Sequence, residues 1–145
     1  MRIYLDNCCY NRYYDNKNQI KIKMEAEAVE KIKDKIISGE LELVTSFMLH
    51  YENRQKADEK QKDEIEHFFK TYRKIHIGIE NAEPLEEKLF EIMSTGIKRK
   101  DATHIASAIF SKCDYFITVD NRLTKYKSIE IEVLNPIEFV KILEG

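Results

Sequence analysis

Glycine and proline are scarce in this 145-residue chain: four glycines (Gly39, Gly78, Gly96, Gly145) and two prolines (Pro84, Pro136). So few chain breakers, beside many Lys, Glu and Ile residues, point to long helices joined by short loops. No repeat, low-complexity tract or glycine-rich phosphate loop is present. Three cysteines (Cys8, Cys9, Cys113) are an odd count without a CxxC pair, which excludes a disulfide framework and a cysteine zinc site. The adjacent Cys8 and Cys9 read as two small half-buried residues after a strand, with a redox pair as the alternative. No apolar run approaches the roughly 18 residues of a membrane span. The opening Met1–Asp6 turns polar too quickly for a signal peptide, so a cytoplasmic location is expected. Charge of one sign is lacking as well. Charged residues are 34% of the chain, yet the formal net charge is only −2. That excludes a dedicated, strongly basic nucleic-acid binder and leaves room for a local basic patch only. What is present is 43% hydrophobic residues, enough for a core, in a length that suits one compact domain over residues 1–145.

The apolar pattern alternates between the two periods of regular structure. Ile3-Tyr4-Leu5, Leu41–Val44, Ile75-His76-Ile77, Tyr115–Val119 and Ile129–Leu134 read as strands. Helical spacing predicts helices from about Ile20 to Ile37, after Thr45 or Ser46, over 59–74, from Pro84 to about Ser94, from Asp101 to about Lys112, and after Asn135-Pro136. Gly39 is the expected C-cap of the first of these. Strands alternating with helices predict an α/β three-layer sandwich, a five-stranded, mostly parallel sheet flanked by helices. Ligands of such sheets bind outside the carboxyl ends of the strands, where the strand order reverses. Acids at strand ends therefore carry more weight than acids within helices.

Four of the 26 acidic residues stand apart by position, two of them at strand ends. Asp6 directly follows the first apolar strand and Asp120 the fourth. Asp101 opens the most apolar helix, where the dipole favours its charged form. Glu52 lies in the second turn of the helix after the second strand. Carboxylates brought together repel one another unless a cation neutralises them. All-oxygen ligands suit Mg2+ or Mn2+. Such ions acidify a bound water and offset charge on a phosphate, the needs of phosphodiester hydrolysis.

These residues form an ordered set with a known likeness. Ile-Tyr-Leu-Asp-Asn at 3–7, Thr-Ser-x5-Glu at 45–52, Asp-Ala-x-His-Ile-Ala at 101–106, Phe-Ile-Thr-x-Asp at 116–120 and Asn-Pro-Ile-Glu-Phe at 135–139 together resemble the PIN-domain nucleases. The resemblance spans nearly the whole chain. It implies a five-stranded parallel sheet, catalytic and metal-holding acids at Asp6, Glu52, Asp101 and Asp120, and supporting roles for Asn7 and Thr118. Cys8 departs from the pattern, since Ser or Asn is more usual there. Many small PIN proteins are VapC-like toxins of toxin–antitoxin pairs, so the resemblance also implies an antitoxin partner and a homodimer.

Basic side chains flank each acid: Arg12 after Asp6, Arg54 after Glu52, Lys98-Arg99-Lys100 before Asp101, and Arg122 after Asp120. Phosphate contacts from these would hold RNA without reading its sequence. A solvated charged face is the plainer reading of such runs. Tyr10, Tyr13 and Tyr14 either stack on unpaired bases or belong to the core. His104 is read as a packed helix histidine, with a place behind the ligands as the alternative. A receiver domain would need an Asp after the third strand, where Gly78 stands. A haloacid-dehalogenase-like phosphatase would need Asp-x-Asp, where Asp6-Asn7-Cys8 stands. The reading reached from sequence is a Mg2+- or Mn2+-dependent endoribonuclease. Its rival is a PIN-like module that binds RNA or protein without cleaving.

Overall fold

The computed structural model describes residues 1–145. Five parallel strands form one sheet: β1 (Arg2–Leu5), β2 (Glu42–Ser46), β3 (Arg73–Ile77), β4 (Tyr115–Ile117) and β5 (Glu132–Leu134). Their order across the sheet is β3-β2-β1-β4-β5. The chain first winds outward from β1 through β2 to β3, then returns to the other side of β1 for β4 and β5. The reversal therefore falls between β1 and β4, which pair in parallel with Leu5 opposite Ile117. Helices flank this sheet: α1 (Asn7–Arg12), α2 (Ile20–Ile37), α3 (Phe47–Arg54), α4 (Glu59–Tyr72), α5 (Ala82–Met93), α6 (Arg99–Phe110), α7 (Asn121–Thr124) and α8 (Pro136–Glu144). A single 3-10 turn at Ile79–Asn81 leads into α5. No helix is long and apolar enough to cross a membrane.

A strand buried on both faces loses its polar alternation, and β1 shows this: Ile3, Tyr4 and Leu5 are all fully buried. Phe116, Ile117, Leu43 and Val44 extend the same core across the neighbouring strands. On α2 the buried stripe is Ala28, Val29, Ile32 and Ile36, at helical spacing, while Met24 and Ile37 face solvent. Gly39 ends this helix with a positive φ of 85°, a conformation that costs glycine little. At the other end of the chain Asn135 caps α8, its side chain accepting the Ile137 N–H at 2.8 Å, with Pro136 in the first turn.

Several boundaries differ from the sequence pattern by one or two residues: β2 runs over Glu42–Ser46, β3 already begins at Arg73, and α6 begins at Arg99, ahead of Asp101. β4 stops at Ile117, short of Val119; Thr118 still donates its N–H to the Leu134 carbonyl at 2.9 Å while its hydroxyl goes to Asp6. β5 starts at Glu132 rather than Ile129, whose side chain is fully exposed. A turn closed by the Glu130 N–H on the Ser128 hydroxyl, at 3.0 Å, occupies the residues before β5.

Candidate functional site

The carboxyl ends of β1, β2 and β4 meet at one edge of the sheet, and the chain places acids there for local reasons. Asp6 leaves β1 while its N–H still donates to the Ile117 carbonyl at 2.9 Å, so its backbone is held by the sheet. Its side chain then caps α1, accepting the Asn7 N–H at 2.8 Å on Oδ1. Oδ2 accepts from the buried Thr118 hydroxyl at 2.8 Å. The same hydroxyl accepts the Asp120 N–H at 3.1 Å, so Thr118 ties the ends of β1 and β4 together. The Cys8 thiol completes the surroundings, 3.4 Å from both the Asp6 carboxylate and Thr118.

Glu52 arrives from α3. Ser46 caps that helix by accepting the Leu49 N–H at 3.3 Å. The buried Asn53 fastens it to α4, donating to the Lys62 carbonyl at 3.0 Å and to Glu66 at 3.1 Å. With α3 so fixed, the Glu52 carboxylate reaches His104 Nε2 and forms a direct hydrogen bond with it. His104 is completely buried one turn into α6. Its Nδ1 hydrogen-bonds the Tyr4 hydroxyl at 2.6 Å, and Tyr4 in turn hydrogen-bonds the Ser46 hydroxyl at 2.6 Å. A closed polar chain thus runs through the core from Ser46 to Glu52. In its protonated form His104 donates from both nitrogens, and the Tyr4 O–H is left to donate to Ser46.

Ligand atoms of Asp6, Glu52 and His104 lie within 4.8 Å of one another. Asp101 and Asp120 stand outside that tightest set. Asp101, in the first turn of α6, feels the set nonetheless: burial pushes its carboxyl up, and the charges of Asp6, Asp120 and Glu52 push it further. Asp120 faces Arg122, whose guanidinium donates to both carboxylate oxygens at 3.2 and 2.9 Å and holds this acid below its ordinary range. Burial raises the Glu52 carboxyl. The His104 hydrogen bond and the charges of His104, Lys100 and Lys56 outweigh it and leave Glu52 lowered. Burial also lowers His104, but the hydrogen bond to Glu52 and the charges of Asp6, Glu52 and Asp101 bring it above its usual value. The two partners agree: the pair is arranged to be a carboxylate and an imidazolium.

The donor set fits a divalent cation. The carboxylates of Asp6 and Glu52 converge, and the Asp6 and Glu52 charges also reach Asp101, whereas His104, with both ring nitrogens already hydrogen-bonded, orients Glu52 rather than offering a lone pair. Of the remaining residues singled out by sequence, Asn7 accepts from the half-buried Lys56 ammonium at 3.2 Å. Arg54, Lys98, Arg99, Lys100 and Arg122 are exposed. Arg12 is instead drawn into ion pairs with Asp15 at 2.7 Å and with the buried Glu25 at 3.2 Å. Tyr10 is buried and Tyr14 bonds Glu64, so of those three tyrosines only Tyr13 offers an exposed ring. The partnership of Tyr4 and His104 escaped sequence reasoning. A signal existed in the three-residue step from Asp101 to His104, which places both on one helix face.

No family model matches the chain, and no curated protein matches it by sequence. Solved structures do share its fold. One is the crystal structure of VapBC2 from Rickettsia felis bound to a DNA fragment from their promoter. It aligns with a TM-score of 0.61 and 14% identity, over 93% of this chain and 98% of that one. Another is FitAcB from Neisseria gonorrhoeae, with a TM-score of 0.56 and 16% identity, over 92% and 97% of the respective chains.

Proposed function

We propose that this protein is a metal-dependent endoribonuclease. The observation that carries the reading is the convergence of Asp6 and Glu52, beside His104, at the sheet's topological switch point, with Asp101 and Asp120 at its rim. A bound Mg2+ or Mn2+ would supply an acidified water and a counter-charge for the phosphate. Asp6 and Glu52 would hold the ion, and Asp101 and Asp120 would complete its surroundings. Thr118 fixes the Asp6 carboxylate and Asn7 donates its N–H to it, so that little reorganisation is needed on binding. Lys98, Arg99 and Lys100 hold the RNA backbone by charge alone, together with Arg54. Arg122 has two claims on it, since an RNA phosphate competes with Asp120 for its guanidinium.

The resemblance of the motifs to VapC-like toxins is supported by the fold shared with VapBC2 and FitAcB. We therefore extend the reading to a cytoplasmic toxin that forms a homodimer and is restrained by an antitoxin protein. The test is cleavage of a panel of structured and single-stranded RNAs in Mg2+, Mn2+ or EDTA, with Asp6→Asn and Asp101→Asn alongside. Cleavage that needs the ion and disappears in both variants is the expected result. A folded protein that cleaves nothing and binds no ion is instead the non-cleaving module.

A further inference from the structure

Beside the carboxylates lies an aromatic residue with no structural role in the core. Tyr51 precedes Glu52 on α3, and its ring is 49% exposed. The Lys100 ammonium sits 5.4 Å from that ring's centroid. Lys100 also belongs to the first turn of α6, directly before Asp101, and that helix has no side-chain cap at its N-terminus. On the other side of Glu52 the Lys56 ammonium is anchored on Asn7 at 3.2 Å. Both lysines act on the Glu52 carboxyl. Asp6, by contrast, is buried. Asp6 is thus recessed beside a half-exposed aromatic ring and two ammonium groups.

We propose that Tyr51, Lys100 and Lys56 form a track for a single RNA strand, with an unpaired base stacked on Tyr51 and the adjoining phosphates held by the two lysines. A tyrosine face accepts any base, and only a base free of its partner can reach it. Lysines supply point charges to phosphates without sequence preference. Tyr13 provides the internal contrast. It is 47% exposed and has Lys17 and Lys33 5.3 and 5.8 Å from its centroid, but the groove it lines holds Glu30 and Glu64 and none of the four candidate acids. The track deepens the ribonuclease reading by naming side chains that would hold the strand, and it rests on that reading for what happens to the strand.

The chain contains no tryptophan, so Tyr51→Trp places a single indole reporter at the platform. Titration of that variant with a short oligoadenylate RNA, in EDTA and low salt, reads binding without cleavage. The expected result is quenching of the indole by the single strand, with none from the same sequence as a duplex and none in Tyr13→Trp. Tyr51→Ala should weaken strand affinity by about five- to 150-fold, the range for loss of one stacked base, while Tyr51→Phe retains it. Lys100→Ala and Lys56→Ala should each flatten the slope of log affinity against log salt by about 0.7. Binding of the strand with an unquenched Tyr51→Trp, equal quenching by duplex, or absence of strand binding overturns the track. The two readings separate cleanly. Quenching without cleavage in any ion removes the nuclease and keeps the track, whereas cleavage without quenching removes the track and keeps the nuclease.

Discussion

Three neighbours converge on Asp6, and one imidazole underlies Glu52. The consequence is that both carboxylates are aimed before any ion arrives. Tyr4 is the remote end of that arrangement: it touches His104 and Ser46 but neither acid. Tyr4→Phe keeps the buried ring and its stack on Phe116, yet strands two buried polar partners. Urea denaturation should show a loss of about 1–3 kcal/mol. Mn2+ affinity should fall by about ten- to 100-fold, because the group orienting Glu52 loses its own support. The Glu52–His104 pair also sets a pH dependence in the ion-free protein. Glu52 is lowered, so its contribution is present above the ordinary carboxylate range and is lost as pH falls through its folded value. His104 is raised, so its contribution is complete below about 6.5, the ordinary imidazole value, and is lost as pH climbs through the folded one. Asp101 is raised too, which removes stability as pH rises past the normal carboxylate range. Thermal melts in EDTA should therefore decline from mildly acidic pH upward, and His104→Gln should flatten the decline above neutrality.

At the scale of elements, the long periodic segments were readable from the sequence because their patterns are physical. The stripe on α2, the cap at Asn135 with Pro136, and the apolar runs of β1 and β4 each follow from burial or capping. The two helices that escaped notice, α1 and α7, are six and four residues long. Helices that short are marginal on their own and show no full period. Packing of Cys9 and Tyr10 into the core holds α1, and Leu123 does the same for α7. Both begin at a candidate acid, Asp6 and Asp120, whose side chains cap them. Their place after strands singled out these two acids in the sequence, but their duty as caps was hidden, since it depends on helices too short to read. In the sequence His104 reads both as a packed histidine and as a group behind the ligands, but its partners were hidden, because they lie 100 and 52 positions away. Helix α6 carries Asp101 and His104 together, and it packs closely because Ala102, Ala106 and Ala108 are buried. Ala102→Leu should overpack this seam at a cost of about 1–3 kcal/mol, measured by denaturant midpoint. It should also lower Mn2+ affinity, because both side chains ride on the displaced helix.

For the whole molecule, the all-parallel order β3-β2-β1-β4-β5 is what joins acids from distant parts of the sequence at one edge. A net charge of −2 conceals this local concentration of negative charge, which is why composition alone did not point to it. An ion that relieves the repulsion binds the native state only, and so must stabilise it. At about 100 times its dissociation constant the gain is about 2.7 kcal/mol. For a chain of this size that corresponds to a rise of about 5–10 °C in Tm, read by differential scanning fluorimetry with and without Mn2+.

The most direct single measurement is a Mn2+ titration of the wild-type protein and Asp6→Asn, followed by the electron paramagnetic resonance signal of free Mn2+, with cleavage of labelled RNA assayed in the same tubes. The expected result is saturable Mn2+ uptake by the wild type and cleavage that rises with it, both lost in an Asp6→Asn protein that melts no lower in EDTA. Equal uptake and equal cleavage by the two proteins would contradict the assignment of the carboxylate cluster as the centre of this molecule's chemistry.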